Sequence, residues 1–286
     1  MTIVVTGATG QLGRAVVKHL LERVPADQVV ASVRDPKKAA DLGVAVREGD
    51  FERPETLAAA FAGADKLLII SSQGDTESRS RQHTNAVAAA KAAGVGHLVY
   101  TSLTRADTSK MSLADTHRPT EDAIKATGIP YTFLRNNWYF ENDFGTVLGA
   151  LATGGVATPT QGGKVASATR DDFANAAAAV LATEGHKNAV YELGGTIAHS
   201  YAEWAEAIGA AAGREITYTE ITPDESAAAL AAAGVPAGFV PVLVDAQLAI
   251  AHGELDVPTQ DLAELIGREP VGLREWVTAV VNAHRA

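Results

Sequence analysis

Residues Ile3–Gly13 read Ile-Val-Val-Thr-Gly-Ala-Thr-Gly-Gln-Leu-Gly. The β-branched run predicts a strand over Ile3–Thr6, and the amphipathic stretch Leu12–Arg23 predicts a helix directly after it. Three glycines occupy the junction. Gly7 permits a tight turn off the strand, Gly10 lets backbone approach a pyrophosphate with no Cβ in the way, and Gly13 lets the helix pack closely on the strand. Free N–H groups and a partial positive charge at the helix start favour an anion there. Thr9, Gln11 and Leu12 complete the predicted cradle. This strand–turn–helix context is what separates a phosphate-binding turn from an ordinary glycine loop.

The alternation continues outward. Strands are predicted at Val29–Val33, Val44–Glu48, Leu67–Ser71, His97–Ser102, Tyr131–Leu134 and Val190–Leu193. Helices are predicted at Pro54–Phe61, Ser80–Ala93, His117–Thr127 and Asp171–Thr183, then at Tyr201–Ala212, Pro223–Ala233, Thr259–Ile266 and Leu273–His284. The early strands are apolar nearly throughout, as expected where both sheet faces are covered. Strand–helix alternation predicts an α/β fold, a doubly wound parallel sheet of Rossmann type, with a second, smaller C-terminal α/β domain. The expected division is 1–135 for the cofactor domain, with 164–195 returning to it, and 136–286 for the substrate cleft and C-terminal domain.

Composition narrows the function. The chain has 286 residues, and 24 Lys+Arg against 34 Asp+Glu give a net charge of −10, which argues against nucleic acid as a partner. It contains no Cys, so disulfides, thiolate metal sites and Cys nucleophiles are excluded. The histidines lack H-x-x-x-H or H-E-x-x-H spacing, so no metal is expected. No apolar run approaches a membrane span, and the N-terminus does not read as a signal peptide; a cytoplasmic protein, monomer or homodimer, is expected.

The second strand ends in Ser32-Val33-Arg34-Asp35. An acidic group near this point suits the ribose 2′-hydroxyl of NADH, and an arginine suits the 2′-phosphate of NADPH. Arg34 favours NADPH; Asp35, if turned inward, makes NADH competitive. Asp50 and Phe51 are placed at the adenine, and Ser71, Ser72 and Gln73 beside the cofactor path, because ligands lie outside the carboxyl ends of parallel strands.

The G-x-x-G-x-x-G spacing resembles that of the extended short-chain dehydrogenase/reductases. Further stretches sharpen the resemblance: Val33-Arg34-Asp35-Pro36, Tyr100-Thr101-Ser102-Leu103, Ala106–Ser109 with Leu113-Ala114-Asp115, Leu134-Arg135-Asn136 with Trp138-Tyr139, and Ser167–Arg170. Over essentially its whole length the chain resembles the NmrA-like atypical short-chain reductases. Among them it is most similar to the bacterial type 2 NAD(P)H:quinone oxidoreductases, with the triphenylmethane reductases close by. The resemblance implies two-electron quinone reduction by direct hydride transfer, without flavin.

The usual Tyr-x-x-x-Lys pair of short-chain dehydrogenases is absent. Its positions hold His117 and Glu121, and a carboxylate cannot replace a cationic lysine. A quinone tolerates the loss, since hydride addition yields a stabilised anion that water can protonate. Asn136 and Tyr139 are the candidate donors to a quinone oxygen, and His117 is the candidate proton donor. Asn137, Trp138, Tyr139 and Arg170 are further candidates for cofactor binding, with Trp138 and Tyr139 placed to flank a flat ring. The alternatives are an NADP(H)-binding redox sensor of the NmrA type and a reductase of triphenylmethane-like dyes.

Overall fold

In the computed structural model, which describes residues 1–285, Ile3–Thr6 (β1) is buried along its full length. Its side chains alternate: Ile3 and Val5 enter one core cluster, Val4 another. Gln11–Leu21 (α1) follows, then Val29–Val33 (β2), Ala45–Glu48 (β3), Leu57–Phe61 (α2), Lys66–Ile69 (β4) and Thr76–Ala92 (α3). Leu98–Leu103 (β5), Ala114–Ala126 (α4), Tyr131–Asn136 (β6) and Phe144–Thr153 (α5) come next, with the short strands Gly155–Thr158 (β7) and Lys164–Val165 (β8). The remainder is Arg170–Ala182 (α6), Ala189–Leu193 (β9), His199–Ser200 (β10), Tyr201–Ala212 (α7), Thr217–Glu220 (β11), Pro223–Ala232 (α8), Val240–Ala251 (α9), Asp261–Ile266 (α10) and Leu273–Arg285 (α11).

Seven strands form one sheet in the order β3-β2-β1-β4-β5-β6-β9, and every pairing in it is parallel. The chain starts in the middle, winds outward through β2 and β3, then returns to build β4, β5, β6 and β9 on the other side of β1. The topological switch therefore lies between β1 and β4, where such sheets open a crevice. Thr6 fixes this point: its Oγ1 donates to Leu68 O at 2.9 Å and accepts from Ile70 N at 3.0 Å.

One face of the sheet is covered by α1, α6 and α10, the other by α2, α3 and α4. α6 is buried almost all round, and its run Ala176–Ala179 is what lets it fit between α1 and α10. After α6 the chain re-enters the sheet as β9, beside β6.

A third core cluster lies in the C-terminal half. Trp204 of α7 and Trp276 of α11 pack on Phe140, with ring centroids 5.6 and 5.3 Å from it. Aromatic pairs of this kind add about 0.5–1.5 kcal/mol each beyond their buried area. β7 pairs with β11 and β8 with β10, in two small sheets. These four short strands, together with α5 and α9, have no counterpart among the elements predicted from the sequence. Among the described residues no helix is long and apolar enough to cross a membrane.

Candidate active site

A cleft of about 860 Å³ opens along the carboxyl ends of β1, β2, β3 and β4 and runs on to the segment after β6. Its floor is the turn between β1 and α1. Gly7 has φ +59°, a conformation L side chains rarely adopt, and its carbonyl accepts from Gly10 N at 2.8 Å. A Cβ on Gly13 would lie 2.3 Å from Gly7 O and 2.8 Å from Ala8 Cα, so only glycine allows α1 to sit this close to the turn. Gly10 is the N-cap of α1 and brings no side chain to the helix start. The first N–H groups of the helix thus face the cleft unmet, in a cradle that fits a diphosphate. Gly7, Thr9, Gly10, Gln11, Leu12 and Gly13 all line it.

On the β2–β3 side the cleft is lined by Arg34, Asp50 and Phe51. Arg34 is exposed and makes no ion pair or side-chain hydrogen bond among the described residues. Asp35 is occupied elsewhere: its carboxylate caps the following turn by accepting from Lys37 N at 3.1 Å. Gly49 lets the chain pass Ser32, whose Oγ would lie 2.3 Å from any Cβ there.

On the β4–β5 side Ser71, Ser72 and Gln73 line the cleft, together with Arg79, which the sequence reading did not single out. Beneath them is a buried polar network. Ser72 N donates to His83 Nε2 at 3.0 Å, and His83 Nδ1 contacts Thr120 Oγ1 at 3.0 Å. Arg79 Nε donates to Ser72 O at 2.9 Å, one terminal nitrogen (Nη2) contacts His117 Nε2 at 3.0 Å, and His117 Nδ1 contacts Tyr100 OH at 2.8 Å. A guanidinium has only donors, so His117 Nε2 accepts and the ring is neutral, its proton on Nδ1. Burial first and the Arg79 charge second hold the His117 pKa well below its ordinary value. Burial likewise pushes His83 down to about 4.

This placement corrects the expectation for His117. The residue does not line the cleft, its ε nitrogen is taken by Arg79, and it has no proton to offer an acceptor there. Glu121, at the lysine position, is also buried; it accepts from Ser102 Oγ and pairs with Arg135 at 2.8 Å. Each position of the missing Tyr-x-x-x-Lys pair thus holds an arginine brought from another element.

On the far wall Tyr139 and Arg170 line the cleft, with the Arg170 guanidinium 5.3 Å from the centre of the Tyr139 ring. The Asn136 amide contacts Tyr139 OH at 3.0 Å, and burial raises the phenol's pKa. Asn136 is itself buried and off the cleft wall; it positions Tyr139 and is not placed to meet a ligand. Asn137 and Trp138 are also off the wall. Asn137 Nδ2 donates to Leu255 O at 3.2 Å and its Oδ1 accepts from Trp138 N at 2.7 Å, so its amide is consumed in the backbone around it. Trp138 Nε1 donates to Asp143 at 2.8 Å in the C-terminal core. Successive side chains of an extended segment point to opposite sides, so Trp138 and Tyr139 cannot both face the cleft. The apolar wall comes instead from Leu113 and from Phe239 and Val242 at the start of α9. That helix is pinned by Ser112, whose N and Oγ donate to Asp245 at 2.9 and 2.8 Å. Among the described residues no group of three or more His, Cys, Asp or Glu side chains could hold a metal ion.

A parallel sheet with a central switch point and an uncapped glycine turn at that point define a dinucleotide-binding protein of the Rossmann class. Comparison with known proteins narrows this: residues 7–184 match the model of the NAD(P)H-binding family, and the chain belongs to that family. It is 42% identical over 285 residues to quinone oxidoreductase 2 of Escherichia coli (strain K12), covering 99% of each chain. Two solved structures align along nearly the whole chain. The NADPH-dependent quinone oxidoreductase of Escherichia coli, in complex with NADPH, superposes with a TM-score of 0.94 at 42% identity, covering 98% of this chain and 99% of that one. The triphenylmethane reductase of Citrobacter sp., in complex with NADP(H), superposes with a TM-score of 0.93 at 42% identity, covering 98% and 100%. The resemblance read from the sequence stands, as does the α/β fold class.

Proposed function

We propose that the protein reduces quinones by two electrons at the expense of NADPH, by direct hydride transfer and without flavin. The observation that carries the reading is the single continuous cleft, which joins the uncapped start of α1 to Tyr139 and to the apolar side chains of Leu113, Phe239 and Val242. In this reading the turn Gly7–Gly13 holds the diphosphate, Arg34 the 2′-phosphate, and Asp50 and Phe51 the adenine. Asp35, engaged as a cap, leaves the choice between cofactors to Arg34. When bound, the reduced nicotinamide supplies the hydride.

The chain's own residues then have three tasks. Leu113, Phe239 and Val242 exclude water from one face of a flat acceptor. Tyr139, held by Asn136 and covered by Arg170, offers a phenol to an acceptor oxygen. No side chain is required to transfer a proton in the reducing step, which agrees with the loss of the Tyr-x-x-x-Lys pair. Residues 1–135 with 164–195 supply the cofactor half of the cleft, and 136–286 most of the acceptor wall.

The test is direct. The purified protein, checked for flavin absorbance, is expected to oxidise NADPH with benzoquinone and menadione as acceptors. Tight NADPH binding with no turnover on either quinone or on a triphenylmethane dye would replace this reading with that of a sensor.

A further inference from the structure

Two buried arginines lie near the cleft, and they are treated in opposite ways. Arg135 is 7% exposed and meets three carboxylates: Glu121 at 2.8 Å, Glu192 at 3.0 Å and Asp107 at 3.1 Å. Arg79 is 6% exposed and pairs with none among the described residues. Its Nε is committed to Ser72 O and its Nη2 to His117. Its Nη1 has no partner among the described residues, yet it is not among the sealed polar atoms of the interior, and the residue lines the cleft. A buried cation without a counter-charge is costly. Such a group is kept where a bound species brings the missing negative charge.

We propose that Arg79 is a catalytic residue that stabilises the oxyanion formed on the acceptor. The inference rests on the quinone reading above. Its position selects the acceptor oxygen over the cofactor phosphates. Arg79 is anchored to the end of β4 through Ser72, and to β5 and α4 through His117 and Tyr100. These elements lie across β1 from the β2–β3 side where Arg34 sits, and the diphosphate already has the start of α1 beneath it. His117 is then a positioning residue: with Nδ1 held by Tyr100, its ε lone pair aims the guanidinium.

The chemistry balances without a protein acid. One hydride from the reduced nicotinamide, a proton with two electrons, converts a neutral quinone to the monoanion of a hydroquinone, with the new charge on oxygen. Arg79 donates a charge-assisted hydrogen bond to that oxygen and keeps all its protons. Water supplies the proton that completes the hydroquinone.

The test uses Arg79→Gln and Arg79→Lys, with circular dichroism to confirm folding. Arg79→Gln is expected to lower kcat with menadione about 10- to 100-fold while Kd for NADPH changes less than about twofold, the spread expected of a substitution outside the cofactor contacts. Arg79→Lys keeps the charge but loses the fork, so it is expected to recover part of kcat; should Arg79→Gln not fold, this variant carries the same comparison. A second readout needs no turnover. In the complex with NADP⁺, 4-nitrophenol reports its ionisation by absorbance. The wild type is expected to bind the phenolate in preference to the phenol, and Arg79→Gln to lose that preference. An unchanged kcat, or a rise in Kd for NADPH that accounts for the whole loss with phenolate preference intact, overturns the assignment. If the wild type reduces no quinone, the functional reading fails, and the nitrophenolate titration still decides whether Arg79 is an oxyanion site.

Discussion

Replacing Arg34 by Ala isolates the contribution of one exposed guanidinium to cofactor choice. Arg34 lines the cleft at the tip of β2 and has no side-chain partner among the described residues, so its removal leaves none of them unsatisfied. A hydrogen bond to a charged group contributes about 1.5–3 kcal/mol, and 1.4 kcal/mol is tenfold in affinity. Arg34 is solvent-exposed, which places the effect toward the lower end. NADPH affinity should therefore fall about 10- to 30-fold, while NADH, lacking the 2′-phosphate, should bind as before. Asp35→Ala is the matched control. Its carboxylate caps the Pro36–Ala39 turn, so its loss should cost some local stability and leave both cofactors' affinities unchanged. Calorimetric titration of the wild type and of each variant with each cofactor gives the six values needed. Equal losses for NADPH and NADH in Arg34→Ala would refute the reasoning, as would a selective loss of NADH in Asp35→Ala.

Two further outcomes follow from other parts of the structure. Gly13→Ala puts a Cβ 2.3 Å from Gly7 O, so α1 must move off the turn; a stability loss of about 1–3 kcal/mol together with sharply weaker NADPH binding is expected, and an unchanged Tm and Kd would contradict the packing. Acid stability should fall early. Burial holds His83 and His97 down to about 4, and His117 also lies well below the usual 6.5, so all three bind protons more readily in the unfolded chain. Their stabilisation is complete above pH 6.5 and is lost as pH falls toward 4. Asp143, raised to about 6 by burial, acts in the opposite sense between its unfolded and folded values and cancels about one proton. Near pH 5 the lowered histidines outnumber the one raised carboxyl, so the unfolded chain binds more protons than the folded one and stability falls as pH drops. Urea midpoints that stay flat from pH 7 to pH 5 would exclude this, and His83→Gln should flatten the slope by one proton.

The sequence was most legible where local chemistry dominates. Every strand of the main sheet lies within a residue or two of its predicted place; β1, β2, β4 and β5 are buried at every position and so nearly apolar throughout, while the half-exposed β3 and β9 are marked by their β-branched and aromatic residues. The glycine turn carries its own geometric requirement. α5 was not legible: Gly145 and Gly149 interrupt Phe144–Thr153 with residues of poor helix propensity. α9 opens with Val240, Pro241, Val242 and Val244, a composition that does not announce a helix. The α3 start at Thr76 was missed because its first turns are polar, although Asp75 caps it by accepting from Ser78 N at 2.8 Å. In the site, the cofactor side could be read from short motifs, whereas the acceptor side is assembled from distant segments. The Arg79–His117–Tyr100–His83 network joins α3, β5 and α4, and no local spacing signals it. Asn137 and Trp138 adjoin Tyr139 in sequence and face the C-terminal core in space.

The uniform strand direction of the main sheet also divides the protein into a working rim and a quiet one. Every strand-to-helix loop that contributes to the cleft opens on the first. The helix-to-strand returns through Gly94 and Gly128 lie on the second, with open space around each glycine. A strand of four to six residues separates the two rims, so a reporter domain or surface tether grafted at those returns would stand clear of the chemistry.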